Sequence, residues 1–239
     1  MIIPNEYLKI DNKYIFPIND NTAWLTFPDF RIIYNKLFLS EIQNLESNPI
    51  PIIPNKFPIV IKPIINLSGM SKGFYKINNE KEYDNIVKSN NLAGYFYQPY
   101  FSGQQFNYDI IIKDGKILDY FCVISHPLEN GMFDYHEFLP DNKKISMKNI
   151  RIIEDLLDSY TGFINVEIID DYIIEAHLRI NGDIFIYNKE NINKLINFYI
   201  TKEYNKIIIP EKIYFVPFFT DKINIDFTKI ECIVARLQT

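Results

Sequence analysis

The stretch from Gly162 to Asp183 constrains the fold more than any other part of this 239-residue chain. It reads GFINVEIIDDYIIEAHLRINGD, in which two strand-like apolar runs flank the Asp-Asp pair at 170–171. Two such runs around a short polar reversal predict an antiparallel pair of strands. Glu167 lies in the first run and Glu175 in the second, so this pairing would place both carboxylates on neighbouring strands.

The second of these runs carries polar side chains at every other position. Glu175, His177 and Arg179 would face one way in an extended strand. The alternate positions are apolar, namely Ile174, Ala176 and Leu178. An acid, an imidazole and a guanidinium are unfavourable against a core unless something charged is bound there. Two acids, one neutral ligand and one cation suit a divalent metal ion that carries phosphate.

Composition and charge exclude several classes of partner. The net charge of -5 and the isoelectric point near 5.3 argue against broad binding to nucleic acid or to an anionic membrane. The sequence begins without the pattern of a signal peptide, and no apolar run reaches the length of a membrane span. We therefore expect a cytoplasmic protein.

The two cysteines, Cys122 and Cys232, both lie in apolar, strand-like surroundings. Buried thiols in a reducing compartment are the expected state, and a disulfide is the alternative.

The first part of the chain alternates short apolar runs with polar or Pro-rich breaks. Residues 1–33 predict short strands, among them TAWLTFP, separated by turns. The run YNKLFLSEIQNLES predicts a helix, because Leu37, Ile42 and Leu45 recur at roughly helical spacing. Lys36 would lie in its first turn, which the helix dipole disfavours. Its ammonium group is therefore either solvated or directed at bound phosphate.

A short buried strand, FPIVIK, ends at Lys62 and is followed by the Gly- and Ser-rich loop INLSGMSKGF. Ser68, Ser71 and Lys72 in this loop, with its backbone N–H groups, form a candidate anion site. A hairpin tip is the alternative, because the sequence has no P-loop pattern.

The remaining segments complete an α+β pattern. Helices are predicted over 78–91, 147–159 and 188–204, with either of the asparagines at 78 and 79 as the cap of the first. A strand over 95–98 ends where Pro99 interrupts the ladder. Asp114-Gly115 predicts a type I′ turn between strands at 105–113 and 116–125. Segment 129–138 is predicted to be a hairpin or loop, and strands return near the C-terminus.

The order of these features resembles the ATP-grasp superfamily: a helix that starts near Lys36, a strand that ends in Lys62, a Gly/Ser loop, a hinge, and paired strands with Glu…Glu-x-His-x-Arg. The resemblance runs from about residue 34 to 187. It implies an ATP-grasp fold in which two α+β lobes with mainly antiparallel sheets clasp a nucleotide. Residues 1–50 would form a short N-terminal segment, 51–100 the small lobe, and 101–239 the large lobe with the C-terminal strands.

The resemblance also implies roles for single residues around ATP. Lys36 and Lys62 would contact the α- and β-phosphates, and the loop with Ser68, Ser71 and Lys72 would fold over the triphosphate. The hinge residues Gln98, Pro99 and Tyr100 would meet adenine. Gln105 stands where the family usually has a glutamate that holds the ribose hydroxyls, a contact that an amide can also make.

The paired strands match the part of the family that holds metal ions and transfers phosphate. Glu167, Glu175 and His177 match an acid, an acid and an asparagine that bind Mg²⁺. Arg179 matches an arginine near the γ-phosphate, and with Lys72 it would be catalytic. Because imidazole suits softer metals than Mg²⁺, His177 would either favour Mn²⁺ or contact phosphate directly.

Three functions follow from this resemblance as alternatives. The first is a ligase that uses ATP to activate a carboxylate as an acyl phosphate and joins it to an amine or thiol. The second is a kinase that acts on a small molecule. The third is a nucleotide-binding protein without catalysis, which the replacements at Gln98, Gln105 and His177 favour. The identities of the carboxylate and of the nucleophile, and the oligomeric state, are left open.

Overall fold

The computed structural model describes residues 9–10, 13–67, 73–127, 133–138, 143–181, 189–209, 213–216 and 233–235. The helices are α1 (Asp20–Thr26), α2 (Lys36–Ile42), α3 (Glu80–Ser89), α4 (Met147–Leu156) and α5 (Lys189–Thr201), with a 3-10 helix over Pro28–Tyr34. The strands are β1 (Lys9–Ile10), β2 (Lys13–Tyr14), β3 (Asn48–Pro49), β4 (Ile59–Pro63), β5 (Tyr75–Ile77), β6 (Tyr95–Pro99), β7 (Gln105–Lys113), β8 (Lys116–Pro127), β9 (Phe133–Phe138), β10 (Gly162–Ile169), β11 (Tyr172–His177), β12 (Ile213–Val216) and β13 (Ile233–Ala235).

Among the described residues, the larger sheet has seven strands in the order β11-β10-β7-β8-β9-β12-β13. Its neighbouring strands are antiparallel except for β12 and β13, which pair in parallel. Both predicted two-residue turns are present: Asp114 and Gly115 have positive φ angles of 49° and 73°, and Asp170 and Asp171 have 52° and 65°. Positive φ at both central residues is the requirement of a type I′ turn. The α+β class with mainly antiparallel sheets is therefore confirmed.

The smaller sheet consists of β3, β6, β4 and β5 in that order, and all its pairs are antiparallel. Alternation along β4 and β6 gives its two faces different environments. One face carries Ile61 and Tyr97, which pack with Tyr83 of α3 in a separate apolar cluster. The other face carries Lys62 and Gln98, two polar side chains that are nonetheless buried. This small sheet therefore presents a buried polar face on the side away from α3.

The large sheet is also covered on both faces. One face packs against α4 and the N-terminal helices in an apolar core that includes Ile164, Val166 and Leu157. The opposite face packs against α5 through Phe163 and Phe198. The division at residues 50 and 100 stays a prediction, although the small sheet is built from strands between 48 and 99.

The N-terminal region contains a helix where the sequence predicted a strand, so the strand prediction for TAWLTFP was wrong. Asn19 caps α1, since its side-chain oxygen accepts a hydrogen bond of 2.9 Å from the backbone N–H of Thr22. Asp20 supplies a negative charge in the first turn, which the helix dipole favours. Ala23 is fully buried in the core. Capping and burial of one face therefore prevail over the β-propensity of the aromatic and β-branched residues.

Helix α2 begins at Lys36 as predicted, but it is shorter and buries a different face from the expected one. Ile42 is 37% exposed, whereas Lys36, Leu39 and Ser40 are buried. The buried side is partly polar because it faces other polar groups rather than a purely apolar core.

Gln43, directly after α2, is joined to the edge strand β11. Its Nε2 donates to the backbone oxygen of Ile173 at 2.8 Å, and its Oε1 accepts from the backbone N–H of the same residue at 2.8 Å. Gln43→Ala should leave the backbone N–H and oxygen of Ile173 without these hydrogen bonds and lower the free energy of unfolding by about 2–3 kcal/mol. Urea denaturation would measure this loss. Glu41→Ala, which alters an exposed residue of α2, is the control, and an equal loss in both variants would contradict this role for Gln43.

Candidate active site

A patch of polar side chains lies on the face of the large sheet that also contacts α5. Cross-strand pairing places Asn107 opposite Glu167, and Glu167 opposite Glu175. One step further along, Asp109 pairs with Asn165, and Asn165 with His177. Pairs of opposite residues share a face of the sheet. The predicted hairpin therefore brings the two glutamates together, and β7 adds further polar groups beside them.

Glu175 is surrounded by cationic and imidazole groups. Lys36 Nζ lies 2.8 Å from Glu175 Oε1, and His177 Nε2 lies 3.5 Å from the same oxygen. Burial raises the pKa of Glu175, but Lys36, His177 and Lys62 outweigh it and lower the pKa to about 2. This carboxylate is therefore ionised at neutral pH.

Glu167 has the opposite electrostatic balance. Burial and the neighbouring charge of Glu175 raise its pKa, against the opposing influence of His177 and of the two lysines. Its Oε2 accepts a hydrogen bond of 2.9 Å from Nε2 of Gln105. Glu167 and Glu175 face each other, and the negative charge of one opposes ionisation of the other. A bound cation would stabilise both in the ionised form.

Lys62 reaches this cluster from the small sheet. Its Nζ donates to the backbone oxygen of Ile174 at 2.9 Å. That oxygen is accessible because the register of β10 and β11 shifts between Glu167 and Ile168, which leaves Ile174 without an opposite residue. Burial, followed by the charge of Lys36, lowers the pKa of Lys62 to about 7. The two sheets thus meet at the ammonium group of Lys62, and burial disfavours the charged form of this group.

The structure adds Asp20, a residue that the sequence analysis did not select. Its two carboxylate oxygens accept a bidentate pair of hydrogen bonds from Nε and Nη2 of Arg179, at 2.9 and 3.0 Å. His177 Nδ1 lies 3.0 Å from Asp20 Oδ1, and the hydroxyl of Tyr34 donates to that oxygen at 3.3 Å. Burial raises the pKa of Asp20, but His177 and Arg179 lower it well below its usual range. Asn19 followed by an acid is a signal for a helix that starts at Asp20, but it does not indicate the contacts of Asp20 with Arg179 and His177.

The residues predicted to bind adenine and ribose lie at the end of β6, just after it, and at the start of β7. Gln98 is buried, and its Oε1 accepts a hydrogen bond of 3.1 Å from Ser40 of α2. Pro99 ends β6, and Tyr100 is half-buried with Lys76 Nζ 3.9 Å from its ring centre. Gln105 joins the carboxylate cluster through Glu167, as described above. The predicted contacts of Gln98, Pro99, Tyr100 and Gln105 with a nucleotide stay predictions.

The predicted flap residues Ser68, Ser71 and Lys72 lie outside the described residues, as does Cys232. Cys122 is buried, as expected, and burial raises its pKa to about 11.

The metal prediction can be compared with the donor atoms present. Within the described residues, no group of three or more His, Cys, Asp or Glu side chains is arranged to hold a metal ion. Glu167 and Glu175 nevertheless provide two facing carboxylates, and Mg²⁺ is usually bound by one or two carboxylates together with substrate phosphates. The residues therefore fit a metal that arrives with a nucleotide. His177 stays a predicted ligand, and its ring nitrogens face Asp20 and Glu175.

No helix within the described ranges is both long enough and apolar enough to cross a membrane.

Comparison with known proteins gives matches in structure only. No family model matches the sequence. No curated protein matches it either. Among solved structures, an L-amino acid ligase from Bacillus licheniformis superposes with a TM-score of 0.50 and 13% identity, over 77% of this chain and 46% of the ligase. Pyruvate carboxylase from Rhizobium etli gives a TM-score of 0.51 and 13% identity, over 72% of this chain and 18% of that enzyme.

A putative ATP-grasp superfamily protein from Archaeoglobus fulgidus matches with a TM-score of 0.49 and 11% identity, over 87% of this chain and 63% of that protein. The match with the L-amino acid ligase covers less than half of that enzyme's length. At 13% identity, the two matches with TM-scores of 0.50 and 0.51 establish the fold alone.

Proposed function

Because the chain has the ATP-grasp fold, we propose that it is an ATP-dependent enzyme that activates a carboxylate as an acyl phosphate and joins it to an amine or thiol. One observation carries the proposal: Lys62 of the small sheet and Glu175 of the large sheet belong to one buried cluster, together with Lys36. Buried lysines beside facing acids suit a triphosphate that enters with a divalent cation. The L-amino acid ligase among the structural neighbours supports a ligase, and the neighbours favour neither a kinase nor a non-catalytic protein.

The first reaction would be phosphoryl transfer from ATP. An oxygen of the substrate carboxylate attacks the γ-phosphorus, the bond from this phosphorus to the β,γ-bridging oxygen breaks, and ADP leaves with the bonding electrons. In this reaction Lys36 and Lys62 bind phosphate oxygens, and Arg179 stabilises the transferring group. The flap with Ser68, Ser71 and Lys72 would cover the triphosphate, with Lys72 as a further catalytic cation.

The second reaction would be acyl transfer. The nucleophile attacks the acyl carbon, the acyl–oxygen bond breaks, phosphate leaves, and the nucleophile loses its proton. Glu167 and Glu175 would hold Mg²⁺ or Mn²⁺, with His177 as a predicted third ligand, and this ion neutralises phosphate charge when bound. Gln98, Pro99, Tyr100 and Gln105 would hold the adenosine. The carboxylate and the nucleophile are unidentified, and a cytoplasmic location is part of this proposal.

Trapping with hydroxylamine tests the reaction class without knowledge of the nucleophile. The protein is incubated with ATP, Mg²⁺ or Mn²⁺, hydroxylamine and a panel of amino acids and other small carboxylates. We expect at least one carboxylate to give a hydroxamate together with one equivalent of ADP, since hydroxylamine attacks an acyl phosphate. ADP release with a phosphorylated hydroxyl compound and no hydroxamate would indicate the kinase. ATP binding without ADP release across the panel would indicate a non-catalytic protein.

A further inference from the structure

We propose that Asp20 is a positioning residue of this site, which fixes the guanidinium of Arg179 and the ring of His177 and acts on the reaction through Arg179. The proposal rests on the proposed function above. Asp20 belongs to α1, which precedes the part of the sequence that resembles the ATP-grasp superfamily. Neither its type nor its position follows from that resemblance.

The contacts of Asp20 converge from different parts of the chain. Arg179 and His177 lie 159 and 157 residues away in sequence, and Tyr34 lies 14 residues away. Asp20 Oδ1 is within hydrogen-bond distance of all three side chains, and Oδ2 accepts from Arg179. Charge-assisted bidentate pairs of this type fix the plane of a guanidinium.

Burial separates this cluster from an ordinary surface ion pair. The side chains of Asp20 and Arg179 are only 5% and 16% exposed. Helix α1 is anchored beside them by Ala23, which is fully buried in the core. A pair in such surroundings keeps one geometry, whereas an exposed pair exchanges between several. Asp20 is therefore part of the rigid scaffold of the site.

The pair also determines which N–H groups of Arg179 can meet a substrate. A guanidinium has five N–H donors. Nε and Nη2 each donate to Asp20, and Nη1 donates to the backbone oxygen of Ile180 at 3.3 Å. Among contacts with the described residues, this leaves one N–H on each terminal nitrogen. Asp20 would thus aim these two donors at the transferring phosphoryl group.

The same carboxylate orients His177. Because both oxygens of Asp20 accept hydrogen bonds from the guanidinium of Arg179, this carboxylate can only accept, and Nδ1 of His177 must donate to it. This leaves Nε2, at 3.5 Å from Glu175 Oε1, as the ring nitrogen that faces the pair of glutamates. A carboxylate behind a histidine is the usual way in which proteins fix a tautomer for a ligand role.

A double-mutant cycle tests whether Asp20 acts through Arg179. We expect Asp20→Asn to lower kcat by about 30-fold or more while the KM for ATP changes by less than about threefold. Asp20→Glu should restore part of the activity. In an Arg179→Met background, adding Asp20→Asn should change kcat by less than about threefold, because the residue through which it acts is gone. Asp29→Asn, which alters an exposed acid in the adjacent 3-10 helix, should have no effect.

Two outcomes would overturn the proposal from kinetics: equal losses of kcat in the wild-type and Arg179→Met backgrounds, or a loss in Asp20→Asn no larger than in Asp29→Asn. Imidazole ¹⁵N–¹H correlation spectra give a second test that needs neither activity nor a substitution at Asp20. The chain has three histidines, so His126→Gln and His136→Gln would assign the spectrum. A proton on Nδ1 of His177 is expected. A bare Nδ1 would overturn the proposal even if no ligase activity is found, and failure of the ligase reaction alone would leave this test intact.

Discussion

Glu175→Gln is expected to reduce ATP turnover by about 100-fold or more while the protein remains folded. The amide has nearly the shape of the carboxylate, but it cannot neutralise Lys36 at 2.8 Å or share a divalent cation with Glu167. Because Lys36 then lies buried without its carboxylate, the free energy of unfolding should also fall, and turnover is compared under conditions in which both proteins are folded. Measuring ADP release with a saturating carboxylate and Mg²⁺ or Mn²⁺ would quantify the loss of turnover.

Glu154→Gln is the matched control for this variant. Glu154 forms an ion pair of the same 2.8 Å length with Lys116, but on the surface and outside the carboxylate cluster. We expect its turnover to equal that of the unmodified protein. Undiminished turnover in Glu175→Gln would remove the assignment of Glu175 to the metal and phosphate site.

Lys62→Met should make the protein more stable and less able to bind ATP. A buried ammonium disfavours the folded state, so its replacement by an apolar side chain of similar length should raise the free energy of unfolding by about 2 kcal/mol at pH 7. Loss of a phosphate contact should weaken ATP binding by about tenfold or more. Chemical denaturation and calorimetric titration with ATP would measure the two effects.

The stability gain should depend on pH in a defined direction. The pKa of Lys62 is lowered from 10.5 to about 7 in the folded protein. Below pH 7 Lys62 is protonated in both the folded and the unfolded protein, so the buried charge lowers the free energy of unfolding by its full amount. Between pH 7 and 10.5 the unfolded state binds more protons, so the stability of the unmodified protein rises with pH and the advantage of Lys62→Met shrinks.

Lys88→Met is the control for both measurements. The Lys88 side chain is 75% exposed on α3 and pairs with Asp84 on the same helix. Its replacement should change neither ATP affinity nor the pH dependence of unfolding. A destabilised Lys62→Met protein with normal ATP affinity would show that Lys62 has a structural role alone.

The paired strands of the site could be predicted because their signals are local. Alternating apolar and polar residues determine which face of β11 is polar, and the Asp170-Asp171 turn determines its register with β10. The sequence thus predicted that Glu167 and Glu175 lie on neighbouring strands. The turn alone would pair Glu167 with Ile174, and it is the bulge between Glu167 and Ile168 that places Glu175 opposite Glu167. The helix start at Lys36 and the strand that contains Lys62 are local features of the same kind.

The remaining contacts depend on tertiary structure that no local pattern contains. Asp20 lies 159 residues before Arg179 in sequence, and its segment was predicted to be a strand, so its role could not be inferred. The polar buried face of α2 also arises from tertiary contacts, since Ser40 and Gln43 meet partners in two different sheets. The bulge that exposes the Ile174 oxygen to Lys62 shifts the register by a single residue, which the alternating pattern did not reveal.

The most direct measurement of the central claim is a crystal structure of the protein with a non-hydrolysable ATP analogue and Mg²⁺ or Mn²⁺. We expect oxygens of the triphosphate to lie about 3 Å from Nζ of both Lys36 and Lys62. The divalent ion should lie between the triphosphate and the carboxylates of Glu167 and Glu175. A nucleotide bound elsewhere, or a cluster that stays empty at saturating analogue with the Lys36–Glu175 pair intact, would contradict the claim that these lysines and acids close around one triphosphate.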